Sequence, residues 1–522
     1  MNHVAHTAPS NIEHDGKSIE DHDLQQTAHV FSLIFIGVSL VLILFFFLAG
    51  ILSSRNDFIY LAFAILMSFI PILIGFSRKD GYDLFEPINV AAGAIFLGTT
   101  LRAFYLVFMP GQFQARFLML HQSFQDVNRN IIWVLVGVAF FCLGYLVSFK
   151  RVPVERIAFL RSYRINLQRF NGVLIASVLL SLVGLYLYVS IYNISLGGNI
   201  LAQSVKRSAE YVSDSGEVVY GSGWQGQVSK AAIYGSVALA TAIFAQLVRI
   251  TPYSMGLMAA LVLSSVFVPF LGQTRSPIIL LMFNITVAAA YYGRIRTRSA
   301  VSAFLGVALL VSAMGAIRAS NSFYTGASTG FIENTVGSGN GFDSVRTTAI
   351  ISLIPKEADF QYGMSYLAIP FFWVPRAIWP DKPQADLGAW VKSEIFGQRV
   401  QLSGWPPGLV GDAYINFGYI GIIIIPFIYG LFLRMFYESF KPYLGVSFPM
   451  TTIYVSLLYT IAWHGLDLNV SFVFALALAI AFPMLVILFL SQCGNSRFSG
   501  RQGLATRPPH MSREARCQTG PS

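Results

Sequence analysis

The sequence predicts an all-α, polytopic membrane protein with about twelve transmembrane helices and one large, partly helical loop on the outer face of the membrane. Of the 522 residues, 55% are hydrophobic and only 11% are charged, whereas roughly a quarter of the residues in a soluble domain are charged. The charged residues lie between apolar runs of about 20 residues, the length with which a helix crosses a hydrocarbon core. Composition and spacing together therefore indicate membrane spans.

Twelve apolar segments are predicted as spans from a hydropathy window of about 19 residues. They are 31–52, 58–76, 88–109, 131–149, 172–192, 231–248, 253–272, 277–293, 299–316, 413–436, 449–466 and 470–492. The polar segment 1–30 lacks the short basic start of a cleaved signal peptide, so the first span is expected to stay. The chain then consists of an N-terminal tail at 1–30, a membrane domain at 31–492 and a disordered tail at 493–522.

The distribution of Lys and Arg predicts the orientation of the spans, because short basic loops remain in the cytoplasm. Arginine is concentrated between spans four and five, between spans eight and nine, and in the C-terminal tail. With twelve spans, all three of these arginine-rich segments fall on the same side of the membrane. Both termini are therefore predicted to be cytoplasmic, and the two large loops, 193–228 and 317–412, are predicted to face outward.

The second large loop has the composition of a folded segment. From Arg318 to Gly411 it contains seven basic, seven acidic and fourteen aromatic residues, which is more aromatic than a disordered linker. Its stretch Tyr366–Pro380 is too short and too rich in proline to span, and is expected to lie at the membrane interface. A loop at that depth suits a substrate with a lipid tail and a charged head. The alternative is that it only caps the helical bundle.

Several functional classes find no support in the sequence. It contains no phosphate-binding Gly-x-x-x-x-Gly-Lys-Ser/Thr run, no His-Glu-x-x-His motif and no paired cysteines. Its basic residues are divided among loops, unlike a nucleic-acid-binding face. Glu357 and Asp359 beside Lys356 are read as a solvated charge cluster. We therefore expect no metal, no nucleotide cofactor and no nucleic-acid partner.

Four arginines at the predicted outer ends of spans require a reason, because charge at this depth is costly. They are Arg102, Arg275, Arg318 and Arg376. One reason is snorkelling of the long side chain to the lipid headgroups. The other is that guanidinium groups bind phosphate in a forked geometry, so that converging arginines form a pyrophosphate clamp.

Two residues are candidates for a general base. His464 ends span eleven, and Asp467 lies three residues later, on the same helical face if the helix continues. A histidine with satisfied hydrogen bonds at a helix end is the alternative. Asp412 immediately precedes span ten.

Three motifs carry a resemblance to a known family. The run Arg376-Ala-Ile-Trp379-Pro-Asp-Lys-Pro383, then Gly404-Trp-Pro-Pro-Gly408, then Gly411-Asp-Ala-Tyr-Ile-Asn-Phe-Gly418 resembles the bacterial O-antigen polymerases of the Wzy type, also called oligosaccharide repeat-unit polymerases. The number of spans and the two large loops are similar as well. An Arg-to-Gly loop motif with ten intervening residues, described for the family, is not found from the arginines at 318, 376 and 399.

The resemblance implies a GT-C-like fold in the bacterial inner membrane and glycosyl transfer from a polyprenyl-pyrophosphate donor onto a lipid-linked repeat unit. It implies a membrane-embedded enzyme without cofactor, with a chain-length regulator and a flippase as possible partners. The implied catalytic residues are Arg275, Arg318, Arg376, Asp412 and His464. The implied substrate-binding residues are Arg102, Arg346, Trp373, Trp379, Lys382, Trp405, Tyr414 and Asn416.

Two other functions remain open at this stage. An O-antigen ligase uses the same donor and similar arginines, so the sequence separates it poorly from a polymerase. A transporter also suits twelve spans with both termini inside. Against a transporter, no matched pair of broken helices or parallel halves is visible in the sequence, and a loop as long as 317–412 is unusual there.

Overall fold

The computed structural model describes residues 15–78, 82–109, 123–148, 163–191, 228–271, 276–295, 341–371, 386–397 and 404–492, with a few isolated residues between them. Within these ranges the regular structure is helical and contains no β-strand. A single β-bridge pairs Ile165 with Gln492. The predicted all-α class is confirmed for this part of the chain.

The described helices follow the predicted spans and add short helices in the large loop. They are α1 (Asp15–Leu52), α2 (Asn56–Phe76), α3 (Pro87–Ile95), α4 (Arg102–Phe108), α5 (Phe124–Leu146), α6 (Leu167–Ile191), α7 (Ala231–Phe244), α8 (Pro252–Leu271), α9 (Ser276–Tyr291), α10 (Ser344–Leu353), α11 (Met364–Phe371), α12 (Gly388–Trp390), α13 (Gly408–Phe440), α14 (Phe448–Leu458), α15 (His464–Asp467) and α16 (Val470–Ser491). Helices α3 and α4 are joined by a π-helical turn, Phe96–Leu101, and α14 and α15 by another, Tyr459–Trp463.

Seven helical segments in the described ranges are long and apolar enough to cross a membrane, and they coincide with predicted spans one to five, ten and twelve. Three shorter apolar helices, α7 to α9, lie at predicted spans six to eight. Predicted span eleven corresponds to α14 and α15 with the π turn between them. Predicted span nine, 299–316, lies outside the described residues apart from isolated positions, so the count of twelve stays a prediction.

Helix α13 is broken near its start, where the sequence predicted one continuous span. Phe417 and Gly418 have non-helical dihedral angles, and Gly418 has a φ of 61°, a left-handed conformation that glycine adopts at little cost. The segment Gly408–Asn416 is buried throughout. A Cβ atom at Gly421 would lie 2.1 Å from the carbonyl oxygen of Ala413, so this short segment folds back against the long remainder of α13.

The long part of α13 packs against α5 with the two backbones in close contact. A Cβ atom on Gly144 of α5 would lie 2.0 Å from the carbonyl oxygen of Phe427, and one on Gly430 would lie 2.0 Å from that of Phe141. Small residues allow such close approach between membrane helices. The helices α2 to α5, α10 and α13 share one apolar cluster, and α6 to α9, α14 and α16 share a second.

The close contact between α5 and α13 predicts that the stability of the protein depends strongly on the glycines at this interface. The Gly144→Ala variant should be less stable by about 1–3 kcal/mol, because the added methyl group overpacks a contact with backbone atoms. Gly172→Ala on α6 is the matched control, since a Cβ atom at that position would have nothing within 4 Å. Thermal unfolding of both variants in detergent tests the prediction, and equal melting temperatures would contradict it.

Candidate functional site

A buried polar centre surrounds Arg102, the first residue of α4. The side chain is 2% exposed, and its Nη1 atom lies 2.5 Å from Oδ2 of Asp343, in ion-pair contact but without hydrogen-bond geometry. Arg102 directly follows the π-helical turn Phe96–Leu101, and such turns occur frequently at functional sites. The turn therefore places a guanidinium group inside the bundle.

Asp343 holds a second guanidinium group and caps helix α10. Its Oδ1 accepts the backbone N–H of Arg346 at 3.1 Å, and its Oδ2 accepts from Nη2 of Arg346 at 2.8 Å. Nη1 of Arg346 donates to the carbonyl oxygen of Pro406 at 2.6 Å. One carboxylate is thus shared by two arginines that are each more than nine-tenths buried.

Asp467, the last residue of α15, adds a second carboxylate to this centre. It lies close enough to the backbone N–H of Gly341, to Arg346 and to Asp343 to interact electrostatically with all three. We call Arg102, Asp343, Arg346 and Asp467 the arginine centre. Nε of Arg102 and Oδ1 of Asp467 have no hydrogen-bond partner among the described residues. Buried polar atoms normally find partners, so the centre has capacity for water or a polar ligand.

Part of the predicted outer loop is built into the bundle beside this centre. Every residue from Ser344 to Ile351 in α10 is buried. Thr99 donates to the carbonyl oxygen of Phe342 at 2.8 Å, and the hydroxyl groups of Tyr60 and Ser344 lie 3.2 Å apart. The residues 341–353 therefore belong to the core, and do not merely cap it.

Asp412 lies in the short buried segment of α13 and joins three elements. Its Oδ2 accepts from the Tyr366 hydroxyl at 3.0 Å and from the backbone N–H of Val470 at 2.9 Å, and its Oδ1 accepts from Nδ2 of Asn416 at 3.0 Å. Oδ1 of Asn416 in turn accepts from the Gly363 N–H and the Ser365 hydroxyl, each at 3.1 Å. Asp412 and Asn416 thus attach α11, and Asp412 also attaches the start of α16, to α13.

The Tyr366 phenol is suited to donate to this carboxylate. Burial, and next to it the charge of Asp412, hold the pKa of Tyr366 well above its usual value. The phenol therefore stays protonated. Asp412 accepts three hydrogen bonds and has no exposed surface. These are properties of a residue that anchors neighbouring segments to α13. The role of Asp412 as a base stays a prediction.

His464 begins α15, directly after the second π-helical turn. Its ring lies edge-to-face against Tyr459, with centroids 4.8 Å apart, and its Nδ1 has no hydrogen-bond partner among the described residues. The sequence suggested that Asp467 orients His464 from the same helical face. The interactions found for Asp467 lead to the arginine centre, and the orienting role of Asp467 toward His464 stays a prediction.

The described aromatic candidates differ in exposure. Trp379 is 37% exposed and lies edge-to-face against Phe371. Trp405 is half-buried, packs against Phe396 and has the Lys392 ammonium 5.9 Å from its ring centroid. Tyr414 is buried, and its hydroxyl donates to the carbonyl oxygen of Ile354 at 3.2 Å. Both tryptophans keep exposed surface, whereas Tyr414 belongs to the core, and the sugar-stacking role stays a prediction.

The structure brings together only part of the predicted site. Arg102 and Arg346 meet in the arginine centre, and His464 lies one helical turn from Asp467. The remaining predicted residues, Arg275, Arg318, Arg376, Trp373 and Lys382, lie outside the described residues. Within the described ranges, no group of three or more His, Cys, Asp or Glu residues could hold a metal ion.

Sequence reasoning missed Asp343, the residue that joins the two arginines. The sequence signal that could have identified Asp343 is its position immediately before the helix that starts at Ser344, because aspartate is a favoured N-terminal cap. The pairing with Arg102 has no local signal, since the two residues are far apart along the chain.

Comparison with known proteins finds one related family. Residues 346–494 match the family described as "Domain of unknown function (DUF8712)". The matched region begins at Arg346 and includes Asp412, His464 and α16. No curated protein and no solved structure matches the chain.

The Asp412 contacts predict a stabilising role for Tyr366. Tyr366→Phe should lower the free energy of unfolding by about 1–3 kcal/mol, because it removes a buried hydrogen bond to a carboxylate. Tyr362→Phe is the control, since that side chain is 77% exposed. Thermal unfolding in detergent compares the two variants, and the prediction fails if they have the same stability.

Proposed function

We propose that the protein is a membrane glycosyltransferase that polymerises polyprenyl-pyrophosphate-linked oligosaccharide repeat units into a surface polysaccharide at the outer face. The observation that carries the proposal is the arginine centre, where two buried guanidinium groups share one carboxylate and Nε of Arg102 has no partner among the described residues. Guanidinium groups stabilise the charge of a departing pyrophosphate, and they act more strongly where water is excluded.

The proposed reaction joins two lipid-linked substrates. A sugar hydroxyl of the acceptor attacks the anomeric carbon of the donor, and the bond from that carbon to the pyrophosphate oxygen breaks. The hydroxyl proton passes to a base, and the polyprenyl pyrophosphate leaves with the bonding electron pair. The protein's main tasks are to orient the two substrates and to balance the charge of the leaving group.

His464 suits the role of base better than Asp412. A base needs a free acceptor atom within reach of the substrate, and Nδ1 of His464 has no partner among the described residues. Both oxygens of Asp412 already accept hydrogen bonds from the protein. We therefore assign proton transfer to His464 and positioning to Asp412.

A ligase would use the same donor and the same charge balance, so the arginine centre is compatible with it. Deletion of the gene separates the two activities. Loss of a polymerase leaves lipopolysaccharide with single repeat units, whereas loss of a ligase leaves the core uncapped. We expect the first pattern when surface polysaccharide is displayed by gel electrophoresis.

A group of ion pairs lies at the predicted cytoplasmic end of the bundle. Arg78 contacts Glu86 at 3.2 Å and Glu438 at 3.0 Å, and Arg434 contacts Glu438 at 2.8 Å. Glu86 also accepts from the Tyr145 hydroxyl at 2.7 Å. We call this group the inner network. It joins the ends of α2, α5 and α13 to the start of α3, and a transporter would have to break it to open inward.

The arginine centre predicts a loss of activity that is separable from stability. In liposomes with lipid-linked repeat units, Arg102→Gln should slow chain lengthening at least about tenfold, because a charge-balancing guanidinium is lost. Arg102→Gln leaves Asp343 paired with Arg346, so the variant should keep a melting temperature close to that of the wild type.

The control for this test is Arg55→Gln, which alters an arginine whose ion pair with Asp57 is surface-exposed and should keep full activity. Chain lengthening at the wild-type rate by the folded Arg102→Gln variant would overturn the assignment of Arg102.

The base assignment predicts a specific kinetic effect. His464→Ala should lower kcat by about 10²–10⁴-fold, since positioned proton transfer contributes that much. The rate of the variant should also lose the dependence on pH that titration of an imidazole imposes. Measuring the pH profile alongside the melting temperature distinguishes lost catalysis from lost folding. An unchanged profile would exclude His464 as the base.

A further inference from the structure

A cavity of about 90 Å³ lies beside His464, at the start of α15. Its polar lining comes from Lys230 before α7, Ser276 at the start of α9, and Thr460 and His464. Its apolar lining comes from the same or adjacent helices: Ile233, Leu280, Leu476 and Ile480. The predicted orientation places the polar ends of these elements at the outer face.

Lys230 is the unusual member of this lining. No carboxylate lies within ion-pair distance of its ammonium group in the part of the chain that the structure describes, and burial lowers the pKa of the side chain. The Lys230 side chain is partly buried, and in membrane proteins charged groups without a counter-charge commonly mark ligand pathways. The cavity is the space from which a compensating anion can reach the ammonium.

His464 supplies an independent indication of a ligand at the same place. Its Nδ1 atom is buried and has no partner among the described residues, although the ring lines the cavity. Ser276 and Thr460 add hydroxyl groups that donate hydrogen bonds. The Lys230 ammonium and two hydroxyl groups in one half-enclosed space match the donors that bind an anionic oxygen group.

We propose that this cavity binds the phosphate group of an amphiphile, with Lys230 as its counter-charge and the apolar wall receiving the start of the lipid tail. The volume is several times the roughly 10–15 Å³ that a single water molecule requires by the same measure, which is enough for a phosphate group. Lys230 thereby becomes an anion-binding residue outside the arginine centre.

The identity of the amphiphile rests on the proposed function. If the protein polymerises lipid-linked repeat units, the lipid phosphates at hand are its lipid-linked substrate and the carrier that the reaction releases. Helix α15 connects the two sites, since His464 lines the cavity and Asp467 belongs to the arginine centre. A phosphate at Lys230 would lie close to the proposed base. The binding test below requires no glycosyl transfer, so it stands or fails separately from the polymerase activity.

The test measures binding of three probes to the purified full chain in detergent. Farnesyl phosphate has both the phosphate headgroup and the isoprenoid tail. Farnesol has only the tail, and inorganic phosphate represents only the headgroup. We expect farnesyl phosphate to bind at least tenfold more tightly than either fragment. Lys230→Gln should reduce its affinity at least tenfold without changing that of farnesol, and Lys230→Arg should retain most of the affinity.

Lys356→Gln, at an exposed position of the large loop, is the control and should bind like the wild type. Equal affinity for farnesol and farnesyl phosphate would show an apolar cavity without an anion site and would overturn the proposal. If inorganic phosphate binds as tightly as farnesyl phosphate, the cavity is a site for free phosphate, and the assignment to an amphiphile is overturned. A Lys230→Gln variant that keeps both its melting temperature and its affinity would remove Lys230 from the site.

Discussion

The sharing of the Asp343 carboxylate between Arg102 and Arg346 is the interaction on which the candidate site depends. A buried guanidinium is unfavourable in an apolar bundle unless its charge is balanced, and a buried ion pair is costly unless its remaining hydrogen bonds are formed. Asp343 accepts from Arg346 through both of its oxygens and contacts Arg102. This single carboxylate allows α4 and α10 to bring two positive charges together, while Nε of Arg102 stays unpaired among the described residues.

The break in α13 makes this arrangement possible. Because Gly418 reverses the chain, the segment Gly408–Asn416 lies inside the bundle and does not continue the long helix. Asp412 and Asn416 in that segment attach α11, and Asp412 attaches the start of α16, while Pro406 just before it accepts from Arg346. The same short segment thus holds the folded part of the outer loop and one side of the arginine centre.

The two ends of the bundle differ in how their buried and partly buried cations are balanced. In the inner network, Arg78 and Arg434 each contact both Glu86 and Glu438. At the predicted outer end, Arg102 and Arg346 share Asp343, and Lys230 has no carboxylate within ion-pair distance among the described residues. Since a charge that is partly withdrawn from water is stabilised by a counter-charge, the outer end is the one that an anionic ligand would stabilise, whereas the inner cations already have carboxylate partners.

The sequence by itself determined the helical class, the position of most apolar segments and the residue types available for chemistry. These follow from hydrophobic runs and local charge, which are properties of short stretches of chain. Only the tertiary structure decided that Arg102 meets Asp343, that Asp467 joins the arginine centre, and that Lys230 faces a cavity with His464. Each of these contacts joins residues from separate elements, and helix packing is set by shape complementarity across the whole bundle, which no local pattern records.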